Sequence, residues 1–423
     1  MGTIECRRLP GSDGRKPSFP EKIGGRSKVF SHIGEPEEVT TIDFELNEDQ
    51  AAIVQAVREF ADAELAPKAK ETDEKKQFPW ENVRKLAELD LMGIPVEEKY
   101  GGLGADFQTW TAVGEELSRA CTTTGAVYAA HVLAVYPIMR FGTEEQKKKY
   151  LTPLARGEKV GAFGITEPNA GSDAGNVQTR AELKGDEYIL NGTKLFITNG
   201  GEAETYVIIG NVDVERGTRG MTAFIVEKGM PGFEFGKNEE KMAYPSLPNR
   251  ELIFNDCRVP KENVLGGERR GFRVAMETLA VGRIGMGIGA VGLARAALEA
   301  AIPYSKQRIQ FGKPISSFEA IQMMLADMAT EVEAARLLCM QAAWLKDQGR
   351  PFEKHAAMAK LFASETAMRV TTKAVQIFGG YGYTKDFPVE RYMREAKLFE
   401  IVEGTSEIQR LVIANQVLKE HQS

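Results

Sequence analysis

Residues 181–200 read AELKGDEYILNGTKLFITNG and interrupt a chain whose hydrophobic pattern is otherwise mainly helical. Apolar and polar residues alternate through this stretch, which is typical of half-buried strands. Asn191 and Gly192 lie at its centre, and Asn-Gly is the favoured dipeptide of a two-residue β-hairpin turn. The stretch therefore predicts two strands joined at Asn191 and Gly192.

Short β runs continue after this hairpin, in TYVIIGNV, GMTAFIVE, GFEFG and RELIFNDCRV, and Gly, Pro and Asn separate them. The period is helical on both sides, over residues of about 45–155 and again from Gly271 onward. The long C-terminal helices are apolar on one face, as a helical bundle requires. The pattern predicts an α+β multidomain protein with an N-terminal all-α domain, a central β-barrel or sandwich domain and a C-terminal bundle.

We place the predicted boundaries at 1–40 for an extension, 41–158 for the N-terminal α-domain, 159–268 for the β-domain and 269–423 for the bundle. The first 40 residues contain six Gly and four Pro and have no sustained apolar period. Such a composition cannot bury enough surface to offset its ordering entropy. We expect this extension to be flexible or to lie on the surface.

Composition excludes several classes of function. The net charge is −6 with a pI near 5.6, which disfavours a nucleic-acid binder. The four cysteines (Cys6, Cys121, Cys257 and Cys339) and four histidines form no zinc, disulfide or HExxH pattern, so we predict no metal site. No apolar run approaches the ~18–20 residues of a membrane span. We expect a soluble cytoplasmic protein, with the mitochondrial matrix as the alternative.

One glycine pattern resembles a nucleotide-binding motif. Gly287, Gly289 and Gly292 match GxGxxG, but a dinucleotide fingerprint needs a strand before it and a helix that opens at it. The match lies inside VAMETLAVGRIGMGIGAVGLARAALEAA, whose period is helical on both sides. We interpret these glycines as small residues that let two helices pack closely.

Two further segments have both a structural and a functional interpretation. Gly379, Gly380 and Gly382 interrupt a helix with residues that permit φ > 0 and close approach of a ligand, but they also suit a simple helix end. EGTSE, from Glu403 to Glu407, opens a helix. It is either an ordinary helix cap or an anion site at a helix N-terminus.

Six motifs in order resemble the acyl-CoA dehydrogenase family: FGITEPNAGSDAG, NGTKLFITNGG, CRVPKENVLG, SKQRIQFGKPI, VQIFGGYGY and IVEGTSEIQR. The resemblance covers residues of about 42–420. The short-chain, butyryl-CoA-dehydrogenase-like branch is most similar, chiefly through YSKQRIQFGKPI and VQIFGGYGY.

The resemblance implies a flavoenzyme that removes two hydrogens across Cα–Cβ of an acyl-CoA thioester. FAD would lie between the β-domain and a C-terminal four-helix bundle, and a second subunit of a homotetramer would supply part of its site. The cofactor-binding residues that it implies are Phe163, Ile165, Thr166, Ser172, Phe196, Thr198, Arg308, Phe311, Gln376, Ile377, Gly379, Gly380, Thr405 and Glu407. Thr166 can donate a hydroxyl hydrogen bond to the flavin.

Glu403 matches the catalytic base of the family, which abstracts the α-proton while the β-hydrogen leaves as hydride to FAD. The base's main-chain N–H and a flavin ribityl hydroxyl would polarise the thioester carbonyl. Burial between flavin and acyl chain should raise the pKa of Glu403 toward working pH. Some family members carry the base on an earlier helix, at a position that is Gly282 here.

The substrate-binding residues that the resemblance implies are Ser172, Arg283, Val402 and Gly404. The chain departs from the family pattern at three positions, where Ala280 replaces a common Asp, Phe196 a flavin-stacking Trp and Val402 a common Tyr. Tyr128 and His131 would either crowd the acyl end of the pocket or belong to the core. We predict a short, branched, cyclic or dicarboxylic acyl-CoA as substrate.

An electron-transferring flavoprotein is the electron acceptor that the resemblance implies. Two enzyme alternatives keep the same scaffold, an acyl-CoA oxidase and an enoyl-CoA reductase. A third alternative, of another class, is a flavin-free CoA-binding or assembly protein.

Overall fold

A computed structural model describes residues 46–421 of the protein. Helices form both ends of this part and strands form its middle. The α-helices are α1 Glu48–Phe60, α2 Ala69–Glu74, α3 Trp80–Glu88, α4 Phe107–Ala120, α5 Thr122–Phe141, α6 Glu144–Gln146, α7 Thr152–Ala155, α8 Gly271–Gln307, α9 Glu319–Asp347, α10 Glu353–Phe378, α11 Val389–Phe399 and α12 Ser406–Glu420. The strands are β1 Gly161–Gly164, β2 Arg180–Lys184, β3 Glu187–Thr198, β4 Thr205–Asn211, β5 Met221–Glu227, β6 Phe233–Asn238, β7 Asn249–Pro260, β8 Val264–Leu265, β9 Ile309–Gln310 and β10 Lys313–Pro314.

The predicted order of helical, β and helical parts is confirmed within these residues. The predicted extension 1–40 lies outside them, and the exact domain boundaries stay a prediction. Helix α1 begins as its sequence indicates: Asn47 and Gln50 form a capping box, each side chain accepting a hydrogen bond of 2.9 Å from the other's main-chain N–H. Gln50 Nε2 also donates to Asp106 Oδ2 (2.7 Å), which links the start of α1 to the start of α4.

The central strands form one sheet of eight strands. Its order is β6-β7-β3-β2-β4-β5-β8, and β1 pairs with β4 beside this path. Most neighbours are antiparallel, whereas β1 and β4 run parallel. Strand β4 is buried throughout its length, so this sheet is covered on both faces at its centre.

The predicted turn at Asn191 and Gly192 is wrong, although the stretch does form two strands. The chain turns instead at Gly185 and Asp186, between β2 and β3, where Gly185 has a left-handed φ of 65°. Strand β3 runs straight through Asn191 and Gly192 and pairs with β7 across a register shift there.

The physical reason for this difference is a β-bulge. The Asn191 side chain donates to Asp256 Oδ1 (3.0 Å) and accepts from the Asp256 main-chain N–H (2.8 Å), which satisfies the irregular pairing. A Cβ on Gly192 would lie 2.7 Å from Thr179 Cα, so glycine is needed there for a close approach of two backbones. Asn-Gly therefore serves this sheet inside a strand rather than at its end.

Helix α8 runs through the centre of the helical part, and the structural interpretation of its GxGxxG match is confirmed. Gly287, Gly289 and Gly292 are all buried inside the helix. A Cβ on Gly292 would lie 2.5 Å from the carbonyl oxygen of Glu115, so α4 packs directly on the backbone of α8. These glycines lie in the middle of α8 and do not directly follow a strand. The GxGxxG match is therefore not a dinucleotide-binding fingerprint.

Helix α8 is also long and apolar enough to cross a membrane, with a mean hydropathy of 1.4 over its best window. The expectation that no apolar run approaches the length of a membrane span therefore does not hold for α8. Other parts of the chain bury 78% of that window. Its apolar surface is therefore used in packing within the protein.

Two side chains fasten α5 to the sheet. The main-chain N–H of Gly161 donates to His131 Nδ1 (3.0 Å), and Asn199 Nδ2 donates to the carbonyl oxygens of Val127 (3.1 Å) and Gly161 (3.2 Å). Burial lowers the pKa of His131 to about 4, so the ring is neutral and can accept. The structure supports the core interpretation of His131.

Candidate active site

A tight turn between α11 and α12 contains Glu403, the predicted base, preceded by the half-buried Val402. Glu403 and Gly404 both have left-handed backbones, with φ of 52° and 94°. Such conformations are strained for residues other than glycine and are concentrated at functional sites. Gln409 Nε2 donates to the carbonyl oxygens of Glu403 (3.0 Å) and Gly404 (2.9 Å), and Lys360 Nζ donates to Gly404 O (2.8 Å). Two helices, α10 and α12, therefore hold the turn.

The carboxylate of Glu403 faces α8. Its Oε2 atom is buried and has no hydrogen-bond partner. A Cβ on Gly282 would lie 2.1 Å from this oxygen and 2.7 Å from Leu133 Cδ2. The absence of a side chain at Gly282 therefore makes room for the carboxylate. A buried polar atom without a partner is costly, and such an atom is a candidate for contact with a ligand.

The surroundings of Glu403 suit a general base. Burial raises the pKa of Glu403 to about 7, and the positive charges of Lys360 and Arg283 oppose this rise. Arg283 is itself buried, and its Nε atom lacks a hydrogen-bond partner. A carboxylate whose pKa lies near working pH can both accept and release a proton.

The sheet supplies the other predicted residues near this point. Phe163 and Ile165 belong to the same buried apolar cluster as Leu133, the residue that faces Gly282. The carbonyl oxygen of Thr166 accepts a hydrogen bond of 2.8 Å from the main-chain N–H of the residue before Phe196. The Phe196 side chain is 60% exposed and its backbone is left-handed, with φ of 56°. The structure thus brings Thr166 and Phe196 together at an open edge.

The remaining predicted residues near the turn and the sheet have separate surroundings. Thr198 Oγ1 accepts a hydrogen bond from Asn249 Nδ2 (2.9 Å). Ser172 is exposed in the loop after β1, and Glu407 is exposed in the first turn of α12. Thr405 is the N-cap of α12, since its hydroxyl accepts from the main-chain N–H three residues on (3.3 Å). The cap interpretation of this segment is confirmed for Thr405, and its predicted contact with flavin stays a prediction.

A second surface group forms around the end of α10. The Arg308 guanidinium lies over the ring of Tyr381, 5.5 Å from its centroid. Cβ atoms on Gly379 and Gly380 would meet nothing within 4 Å. Arg308, Phe311, Gln376, Gly379 and Gly380 are exposed, and Ile377 is buried. Within residues 46–421, no hydrogen bond or ring contact joins this group to the sheet residues or to Glu403.

Sequence reasoning missed a buried ion pair behind Thr166. Lys194 Nζ contacts Glu167 Oε1 (2.6 Å) and donates to the carbonyl oxygen of Ile165 (3.2 Å), so it binds the side chain of the residue after Thr166 and the main chain of the residue before it. Both charged residues stand in the quoted motifs FGITEPNAGSDAG and NGTKLFITNGG. A lysine at an inward position of a strand was the available signal.

Lys360 was missed as well. It lies among Ala356, Ala357, Ala359 and Ala363 on the apolar face of α10 and is fully buried. A lysine in the middle of an apolar helical face is rare without a partner. That pattern could have identified it, although its contact with the Glu403 turn requires the folded structure.

Comparison with known proteins decides the family. Family models of the acyl-CoA dehydrogenase N-terminal, middle and C-terminal domains match residues 47–158, 162–257 and 269–418. The chain belongs to the acyl-CoA dehydrogenase family. It is accordingly an oxidoreductase, and FAD is its cofactor.

Individual acyl-CoA dehydrogenase relatives are similar over nearly the same span. A short-chain specific acyl-CoA dehydrogenase of Clostridium acetobutylicum is 51% identical over 379 residues, which cover 89% of this chain and 100% of the relative. An acryloyl-CoA reductase (NADH) of Anaerotignum propionicum is 48% identical over 385 residues, with coverages of 90% and 98%. Among solved structures, a chain from work on the electron transferring flavoprotein of Acidaminococcus fermentans and flavin-based electron bifurcation has a TM-score of 0.88 and 54% identity, covering 89% of this chain and 100% of that one.

The described residues fit FAD. Phe196 presents an exposed aromatic face next to Thr166, which suits a flat isoalloxazine ring. Arg308 offers an exposed cation, and the open backbone at Gly379 and Gly380 permits the close approach that a pyrophosphate or adenosine needs. These two groups would hold opposite ends of the cofactor.

Proposed function

We propose that this enzyme oxidises an acyl-CoA thioester to the trans-2-enoyl-CoA, with Glu403 as the base that removes the α-proton. The supporting observation is the Oε2 atom of Glu403, buried, unpartnered and directed at the open position beside Gly282. Bound FAD supplies the hydride acceptor. With a pKa of about 7, Glu403 is largely ionised above neutral pH and is ready to accept the proton.

The main-chain N–H of Glu403 supplies a second function. This N–H makes no hydrogen bond within residues 46–421. The left-handed backbone of Glu403 keeps it outside the hydrogen-bond patterns of α11 and α12. A fixed N–H donor can bind a thioester oxygen and stabilise the negative charge that develops there. Glu403 therefore serves the reaction with both its carboxylate and its backbone.

Packing on α8 supports a short acyl group. One helical turn beyond Gly282, a Cβ on Gly285 would lie 2.8 Å from Trp110 Cη2, so the buried indole of Trp110 fills that position. Three residues of helix advance about 4.5 Å, which leaves room for only a few carbons between Glu403 and the indole. The short-chain specific relative supports the same substrate length. The branched, cyclic and dicarboxylic options stay predictions.

A second subunit would complete the cofactor site, and an electron-transferring flavoprotein would take up the electrons. Phe311 is 94% exposed on the β9–β10 hairpin, and within the described residues no hydrogen bond or ring contact joins the group around Arg308 to Glu403. Exposure of a large aromatic residue beside open glycines suits burial against another copy. The similar chain from the electron transferring flavoprotein study supports that partner.

Replacement of the base tests the proposal. Glu403→Gln should bind FAD and stay yellow, but substrate should bleach the flavin about 10²–10⁴-fold more slowly, because the amide cannot accept the α-proton. The measurement is anaerobic flavin absorbance after mixing with butyryl-CoA. Glu400→Gln is the matched control, since Glu400 precedes the turn and pairs with Lys397 (2.6 Å). Rapid full bleaching in Glu403→Gln would contradict the assignment.

One relative favours a second candidate function, reduction of an enoyl-CoA. The acryloyl-CoA reductase (NADH) has nearly the same identity to this chain as the dehydrogenase. The same base and cofactor serve both directions, so the difference depends on the electron donor. Steady NADH consumption with an enoyl-CoA and an electron-transferring flavoprotein, faster than the oxidative rate, would favour this function.

A further inference from the structure

We propose that Lys360 is a positioning residue for the general base: it holds the turn that contains Glu403 and supplies the positive charge that faces its carboxylate. This inference rests on the proposed role of Glu403. Lys360 lies on α10, is fully buried and donates to the carbonyl oxygen of Gly404 (2.8 Å).

The ammonium group of Lys360 has more N–H donors than the described residues around it accept from. An ammonium group has three N–H donors, and within residues 46–421 only Gly404 O accepts from it. A buried ammonium without a paired carboxylate is costly, so its retention among alanines suggests a function. Burial lowers its pKa to about 8, and the nearest opposing influence is the charge of Glu403.

The positive charge of Lys360 lowers the pKa of Glu403 more than any other charged group does. The two side chains nevertheless form no ion pair, and Lys360 reaches the turn through its hydrogen bond to Gly404 O. A direct ion pair would occupy the carboxylate and stabilise its charge too strongly for a base that must take up a proton. A cation one backbone carbonyl away favours ionisation while Oε2 stays free.

Other charges around this pair are few. Arg283 of α8 faces both side chains, and Glu400 at the end of α11 and Glu407 of α12 face Lys360. Gln409 of α12 holds the same carbonyl as Lys360, at 2.9 Å, but is neutral. Gln409 therefore provides a matched control, because its replacement removes a hydrogen bond to the turn without removing a charge.

The experiment compares Lys360→Met, Lys360→Arg and Gln409→Met in the FAD-loaded enzyme. Removal of a nearby positive charge raises the pKa of a carboxylate, so the acid limb of kcat/KM in Lys360→Met should move up by about one pH unit. At pH 7 this lowers the ionised fraction of Glu403 from about one half to about one tenth, which is about a fivefold loss, and the loss approaches tenfold at lower pH. Gln409→Met should lower kcat at every pH without moving the limb, and Lys360→Arg should keep the wild-type profile.

A second readout keeps this test separate from the proposed function. The infrared band of the protonated Glu403 carboxyl, identified by its loss in Glu403→Gln, should titrate at higher pH in Lys360→Met even without substrate. If Glu403 were not the base, this band would still titrate at higher pH in Lys360→Met, whereas the acid limb of kcat/KM would stay at its wild-type pH. An unshifted band in Lys360→Met, or an equal shift in Gln409→Met, would overturn the inference.

Discussion

Gly282 shows how one missing side chain shapes the catalytic position. A Cβ there would occupy the space of the Glu403 carboxylate, at 2.1 Å from Oε2. The resemblance implies an alternative base of the family at this position, and the geometry gives a reason why the two proposed bases would exclude each other: both carboxylates would need the same volume. Glycine at 282 and glutamate at 403 therefore act as a pair.

Gly282→Ala should lower kcat at least tenfold with little change in Tm. The added methyl group pushes aside the flexible end of Glu403, which relieves the clash cheaply but misplaces the base. Gly289→Ala is the control on the same helix, because its Cβ would meet only the ring edge of Phe399 (3.2 and 3.4 Å) and Ser118 Oγ (3.5 Å) and no atom of Glu403. Stopped-flow flavin reduction and calorimetry measure the two effects. A fall in Tm that matches the fall in kcat would point to general unfolding instead.

Helix packing around Gly285 bears on the proposed length of the acyl pocket. Helix α4 places Trp110 on the bare backbone of α8 at Gly285, and Ala129 of α5 closes the same position from the other side, 3.8 Å from a Cβ there. Three helices therefore meet about one turn away from Glu403. We therefore expect the accepted acyl length to depend on how closely these helices approach each other.

Trp110→Ala should extend the accepted acyl chain. Wild-type enzyme should prefer butyryl-CoA to octanoyl-CoA, and the variant should raise the octanoyl to butyryl ratio of kcat/KM about tenfold or more, since each accommodated methylene contributes about 0.8 kcal/mol. A panel with 2-methylbutyryl-CoA and glutaryl-CoA tests the remaining substrate predictions. Trp344→Ala, which removes a buried indole from α9, should leave the ratio unchanged. Wild-type preference for octanoyl-CoA would refute the short pocket.

The local sequence pattern predicted the helices and strands more accurately than the contacts between them. Helix α4 lies within residues of about 45–155, where the period predicts helix, and both its period and its Asp106 cap are local features. The hairpin turn was misplaced because the bulge at Asn191 depends on Asp256 of a distant strand. Glu403 was identified from its motif, whereas Lys360 and Lys194 act through contacts that only the fold creates. Both lysines are buried in the fold, and the sequence pattern could not show how far they are buried or which groups they contact.

Two copies of the chain should build each complete cofactor site. If Arg308 serves the FAD of a partner, co-expressed Arg308→Ala and Glu403→Gln chains should recover activity that neither variant has alone. In such a hybrid, one site combines the intact Glu403 with the other chain's Arg308. Arg308→Ala alone should retain FAD about 10–100-fold less tightly, from ~1.5–3 kcal/mol of lost charge-assisted contact. Absence of recovery in verified hybrids would mean that both groups serve one site within a chain.

The contact of α4 with α8 also bears on how the protein is made. Glu115 and Gly292 lie far apart in the chain, yet the backbone at Glu115 packs directly on Gly292. A nascent chain that leaves the ribosome will expose the apolar face of α4 until α8 has been synthesised. We therefore expect the N-terminal helices not to fold as an autonomous unit, because part of their apolar surface is buried only by the C-terminal half.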